Sequence, residues 1–166
     1  DPNEKAGPSG YGANNYLRAT SGFPYTIYFE NKSTATAPAH QIAITDQLDP
    51  SVFDLSSFRF GNVYIGDSTV YVPSGLRSFV LDKKLTNLNV TARIQAKLDT
   101  ITGKIEWLFR SLDPKTLDDV EDPDVGILPP NKTSPICEGN VNYFVKLKNE
   151  PRHGQQVKNK ASIVFD

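Results

Sequence analysis

The densest set of groups able to do chemistry lies in one stretch, where Asp113, Asp118, Asp119, Glu121, Asp122 and Asp124 follow closely on one another. Calcium takes roughly six to eight hard oxygens, and a loop supplies them readily because carbonyls and carboxylates can wrap the ion together. Further carboxylates join this set if the chain forms a Greek-key sandwich. The second strand would then end at the pole where the penultimate strand begins and the last strand ends. That topology gathers Asp46, Asp49, the acidic loop and Asp166 at one pole. The expected ligands are Asp46, Asp113, Glu121, Asp122, Asp124 and Asp166, with calcium as the cofactor. The plainer reading is a solvated loop whose carboxylates cap turns, since Asp-Pro opens turns and occurs here at Asp113-Pro114 and Asp122-Pro123. No match to the spaced calcium loop with a central glycine is present. The opening Asp1-Pro2-Asn3-Glu4 is expected at the opposite pole. In a tandem array the next module's copy would meet this acidic pole, as a calcium clamp or as a simple linker turn.

Other candidates have weaker chemistry. Trp107 shares a strand face with Ile105 and Phe109, as a core tryptophan does, rather than standing out as a sugar platform. Tyr28, Tyr64, Tyr71 and Phe144 are better placed for exposure. Asn159 sits in the apolar register of Val157, Ala161 and Ile163, so its amide must find partners inside and reads as a structural tie. A Lys–Asn cross-link of the kind found in some surface adhesins would draw on Lys146, Lys158 or Lys160. Those lysines fall on wet registers, whereas such a bond needs a buried lysine beside a buried acid. His40 and His153 lie in loops with no hydrolase or zinc motif around them. Cys137, the one cysteine, has no adjacent base and excludes an internal disulfide. Glu106 is expected to pair with Arg93 or Lys97 across a hairpin. The three sequons at Asn31, Asn89 and Asn131 matter only in a eukaryotic secretory pathway.

The elements that must position these groups are strands. Phe23, Tyr25, Ile27 and Phe29 alternate with Pro24, Thr26, Tyr28 and Glu30, the period of a half-buried strand. Ile42 and Ile44 alternate again before Asp46 and Asp49-Pro50, which read as the stop. Short strands are predicted at Phe58–Phe60, Asn62–Ile65, Thr69–Val72 and Ser78–Leu81, with turns at Gly61, Gly66-Asp67 and Pro73–Gly75. Asn89–Asp99 and Ile105–Phe109 form a hairpin with one wet and one dry face. After the long irregular stretch 111–140, strands at Val141–Leu147 and Val157–Phe165 close the chain. Residues 1–22, rich in Gly, Pro, Asn and Ser, read as an extended lead-in with one short edge strand. The expectation is an all-β protein, an immunoglobulin-like sandwich of two antiparallel sheets with a long acidic loop, forming a single module over 1–166.

Composition excludes some functions. A net charge of −1 over 166 residues gives no electrostatic case for nucleic acid. No apolar run approaches the roughly 20 residues of a membrane-spanning helix. The opening residues do not resemble a signal peptide, which suggests an excised or mature segment.

Taken in order, several pieces resemble a repeat module of unknown function from large bacterial surface and secreted proteins. They are Asp1–Lys5, Tyr25–Asn31 with Ala35–Pro38, Ile42–Asp49, Thr102–Pro114, Gly126–Asn131, Gly139–Tyr143 and Val157–Asp166. The resemblance spans the whole chain and implies an immunoglobulin-like sandwich, an extracellular setting and a place in a multimodular chain. It implies no catalytic residue. The expected function is a non-catalytic spacer or adhesion module, with calcium stiffening as an added feature. Its partners would be neighbouring modules and a polysaccharide or another cell-surface protein. The alternative is a carbohydrate-binding module attached to a polysaccharide-degrading enzyme.

Overall fold

The alternating runs become strands in the computed structural model, which describes residues 3–18, 22–148 and 154–166. The described strands are β1 (Glu4–Ala6), β2 (Phe23–Glu30), β3 (Gln41–Gln47), β4 (Phe53–Ile65) and β5 (Ser68–Val70). They continue with β6 (Ser78–Leu85), β7 (Val90–Leu98), β8 (Lys104–Leu112), β9 (Glu138–Leu147) and β10 (Ala161–Phe165). They make two five-stranded antiparallel sheets, in the orders β1-β2-β9-β4-β5 and β10-β3-β8-β7-β6. Asp1, Pro2 and His153 lie outside the described residues.

The dry faces meet as expected. Phe23, Tyr25, Ile27 and Phe29 of β2 are buried while Pro24 and Tyr28 face out. In the β7–β8 hairpin, Ile94 faces Phe109, Ala96 faces Trp107 and Leu98 faces Ile105. Trp107 is interior, with its ring centroid 5.8 Å from Phe60 and 6.0 Å from Tyr143. Gly103 holds the hairpin turn at φ +76, where an added Cβ would stand 2.3 Å from the Leu48 carbonyl oxygen. Only glycine meets both demands.

Three local expectations are corrected. Gly61 is not a turn: β4 runs through it as one long strand, with register shifts on β9 between Asp54 and Arg59 and between Phe60 and Val63. A glycine inside a strand often marks such an irregularity or a close approach, and a Cβ here would press Asn142 at 2.8 Å. Asp46 does not stop its strand, because β3 continues to Gln47 and buries Asp46 in register with Ile42 and Ile44. Glu106 pairs with Lys104 on its own strand at 2.6 Å, not with Arg93, which forms a two-point pair with Asp82.

The poles are also rearranged. Chain segments 31–40 and 111–131 knit together at one end: Asn31 Nδ2 donates to the carbonyls of Ala37 and Leu128, and Ser111 Oγ donates to the carbonyl of His40. Asp166 accepts the amides of His40 and Gln41 there. Asn3 is at this pole as well, accepting the Glu30 amide at 3.0 Å, so this residue of the opening run does not sit opposite the acidic loop. Asp46 lies roughly 16 Å along β3 from Gln41, at about 3.3 Å per residue, toward the other pole.

A buried polar cluster as candidate functional site

β1 is an edge strand of only three residues, paired antiparallel to β2 with Lys5 opposite the buried Ile27. That register turns the Lys5 side chain inward, where it is only 9% exposed. Asp46 reaches the same point from the other sheet, with its carboxylate fully buried. Lys5 Nζ donates to Asp46 Oδ2 at 2.5 Å and to Tyr143 Oη at 2.8 Å. Tyr143 comes from the centre of β9 and donates its hydroxyl to Asp46 Oδ2 at 2.8 Å. Asn159, two residues before β10, donates through Nδ2 to Tyr143 Oη at 2.9 Å. The phenol oxygen therefore gives one hydrogen bond and accepts two, which is its full capacity. Asp46 Oδ1 accepts the Gln47 amide at 2.8 Å.

One partner is missing. Asn159 Oδ1 is buried and has no hydrogen-bond partner among the described residues. The walls are aromatic: the Tyr25 ring lies 4.3 Å from Lys5 Nζ, and Phe58 stacks on Tyr143 at 5.5 Å between centroids. In this setting burial pulls the Lys5 ammonium below its ordinary pKa, against the attraction of Asp46. Burial, aided by the Asp46 charge, pushes Tyr25 up to about 12 and raises Tyr143 as well. Both phenols therefore stay protonated, and Tyr143 serves as a donor to Asp46.

The expected metal ligands do not come together. Asp46 is held by Lys5 in the interior, and Asp166 caps the start of β3. Asp113, Asp118, Asp119, Glu121 and Asp122 do line one hollow of about 460 Å³, but Asp124 is not part of that lining. Among the described residues no three acidic, histidine or cysteine side chains gather as ligands for a metal ion. Their engagements are local. Asp113 Oδ1 accepts the amides of Lys115 and Thr116, Asp122 Oδ1 accepts the amide of Asp124, and Asp119 pairs with Arg110. The contacts of Asp113 and Asp122 are turn-capping roles, and that of Asp119 is a surface ion pair.

A second hollow, about 590 Å³, lies on the outer face of the second sheet. Its outward side chains include Thr45, Val80, Gln95, Lys97, Glu106 and Leu108, none of them aromatic. Tyr28, Tyr64 and Tyr71 are exposed elsewhere, and Cys137 is buried with its thiol toward the Thr133 carbonyl. No helix among the described residues is long and apolar enough to cross a membrane.

Lys5 escaped the sequence reading because a three-residue strand has no period to show which way a side chain points. Asn159 was legible, since alternation calls for an apolar residue at its position; Asp46 reads as the end of its strand, although it falls in register with Ile42 and Ile44.

Fold and cluster together define an all-β sandwich of two antiparallel sheets whose buried ionic pair joins one sheet to the other. Residues 1–71 match a family described as a domain of unknown function, DUF7619. No curated protein matches the chain significantly. Among solved structures, the collagen-binding domain of a Staphylococcus aureus adhesin is similar at 15% identity, with 100% of this chain and 98% of that chain covered and a TM-score of 0.43. That distance bears on neither ligand nor partner.

Proposed function

We propose that the chain is a non-catalytic structural or adhesion module, a spacer within a multimodular bacterial surface or secreted protein. The observation that supports this reading is where the buried polar groups are spent. Lys5, Asp46, Tyr143 and Asn159 engage one another across both sheets, and none of them lines either hollow described above. Their effect is to clamp β1 and the run into β10, which lie at the edges of opposite sheets, onto the interior strands β3 and β9. A spacer needs that clamp, because tension along a multimodular chain enters at its outer strands. The ordered resemblance to a bacterial surface repeat points the same way, and the partial match to DUF7619 is compatible with it. Partners would be adjoining modules and a polysaccharide or cell-surface protein, for which the outer hollow over Val80, Gln95 and Leu108 offers a site. Fractionation of the producing cells, probed with an antibody to residues 1–166, tests the reading. The antigen is expected in the surface or secreted fraction, and confinement to the cytosol overturns it.

A further inference from the structure

A buried lysine beside a buried acid is costly to keep, and an apolar pair of similar volume would serve packing as well or better. Among the described residues Asp46 is the one acid counted in the interior, and it is spent on Lys5. Next to them stands a carboxamide with its nitrogen tied and its carbonyl oxygen unpaired. Lys5 Nζ and Asn159 Nδ2 donate to the same oxygen, Tyr143 Oη, at 2.8 and 2.9 Å. The amine is thus within two hydrogen-bond lengths of the amide nitrogen, and the amide carbon is one bond beyond it.

We propose that Lys5 and Asn159 condense into an intramolecular amide bond, with Asp46 carrying the proton, so that the chain covalently joins its two sheets through β1 and the run into β10.

The step balances within the cluster. Lys5 passes a proton to Asp46 Oδ2, and the freed lone pair on Nζ adds to Asn159 Cγ. The carbonyl electron pair moves onto Oδ1. Asp46 then delivers a proton to Nδ2, the Cγ–Nδ2 bond breaks, and the carbonyl re-forms. Ammonia leaves and takes up the remaining proton as ammonium. An amine and a primary amide become a secondary amide, and no oxidant, cofactor or second substrate is needed. Burial favours the neutral, nucleophilic amine, in line with the lowered Lys5 pKa. Fixed proximity replaces the encounter that makes such condensations slow in solution. Phe58 and Trp107 are interior beside Tyr143, so the phenol that holds both groups is shielded from bulk water. Lys146, Lys158 and Lys160, set aside from the sequence for their wet registers, take no part. Lys146, Lys158 and Lys160 are exposed, whereas Lys5 meets the requirement for a buried amine beside a buried acid.

Intact-mass spectrometry of the folded full chain tests the bond. The expected mass is below the sequence mass by about 17 Da, the ammonia expelled. Proteolytic mapping should recover one branched peptide containing Lys5 and Asn159. Lys5→Arg and Asp46→Asn, each checked for folding by Trp107 fluorescence, should show the full sequence mass. Wild-type protein at full mass overturns the proposal. So does a deficit that maps to any other residue pair, such as a succinimide at another asparagine, or one that survives in folded Lys5→Arg. If neither variant folds, the wild-type peptide map decides alone. The mass is independent of cellular location, so failure here leaves the surface-module reading to its own fractionation test.

Discussion

Two regions hold acids in opposite ways. In the loop from Asp113 to Asp124, carboxylates stand in water, where Asp113 and Asp122 bind amides two or three residues away and Asp119 binds Arg110. Around Asp46, the partners come from residues distant in the chain: Lys5 and Tyr143. The loop is conspicuous in composition and energetically light, because high dielectric and competing water discount each contact. The cluster contains a single acid and is energetically heavy, because each partner removed leaves another polar group stranded in a low dielectric. Density of charge in a sequence therefore says less about importance than the burial of one member does.

Breaking the buried side should have the largest effect. Asp46→Ala leaves the Lys5 amine without its acid and is expected to cost about 3–5 kcal/mol in urea unfolding. A loss below about 1 kcal/mol would erase the contrast between the regions. The paired replacement Lys5→Met with Asp46→Leu should recover the share of that stability lost to the stranded charge, since an apolar pair fills the site without charge, but not the share contributed by a Lys5–Asn159 bond. Tyr143→Phe removes the oxygen that Lys5 and Asn159 share and should cost about 1–3 kcal/mol by the same measurement. On the loop side, Asp119→Ala breaks the exposed pair with Arg110 and is expected to cost only about 0–1 kcal/mol.

The smallest effects sharpen the comparison. Melting in EDTA and then in millimolar calcium should give the same midpoint, because Asp113 and Asp122 already cap their own turns, Asp119 is paired with Arg110, and among the described residues no three such side chains gather as metal ligands. A rise of several degrees would show that the loop rearranges around the ion, since binding to the folded state must stabilise it. Finally, the amides of Thr116 and Lys115 hold the Asp113 carboxyl below its ordinary range. A group depressed in the folded state stabilises it above the unfolded value, near about pH 4, and loses that share as pH falls through the lower folded value. Asp113→Asn should therefore flatten the decline of the melting midpoint below about pH 4 slightly, with little change at neutral pH.

Much of the architecture was legible in the sequence. The period-2 runs at Phe23–Glu30 and Asn89–Asp99 mark strands because each has one wet and one dry face, and a strand so patterned has few alternatives. Other features misled for identifiable reasons. Gly61 reads as punctuation, yet here it accommodates the close approach of Asn142 inside a long strand. Asp46 reads as a stop because acids usually end apolar runs. The expected gathering of Asp46, Asp166 and the acidic loop failed because Asp46 lies far along β3 from the end that Asp166 caps.

The sequence alone determined the strand class, the interior position of Trp107 and the polar intruder at Asn159, since alternation is local and each residue's face follows from its neighbours. Only the tertiary structure decided that Asp46 stays inside its strand and that Lys5, in a strand too short to have a period, turns inward to meet it and Asn159. That meeting depends on how two sheets stack and which strands take their edges, and contacts between residues so far apart in the chain leave no periodic trace in it.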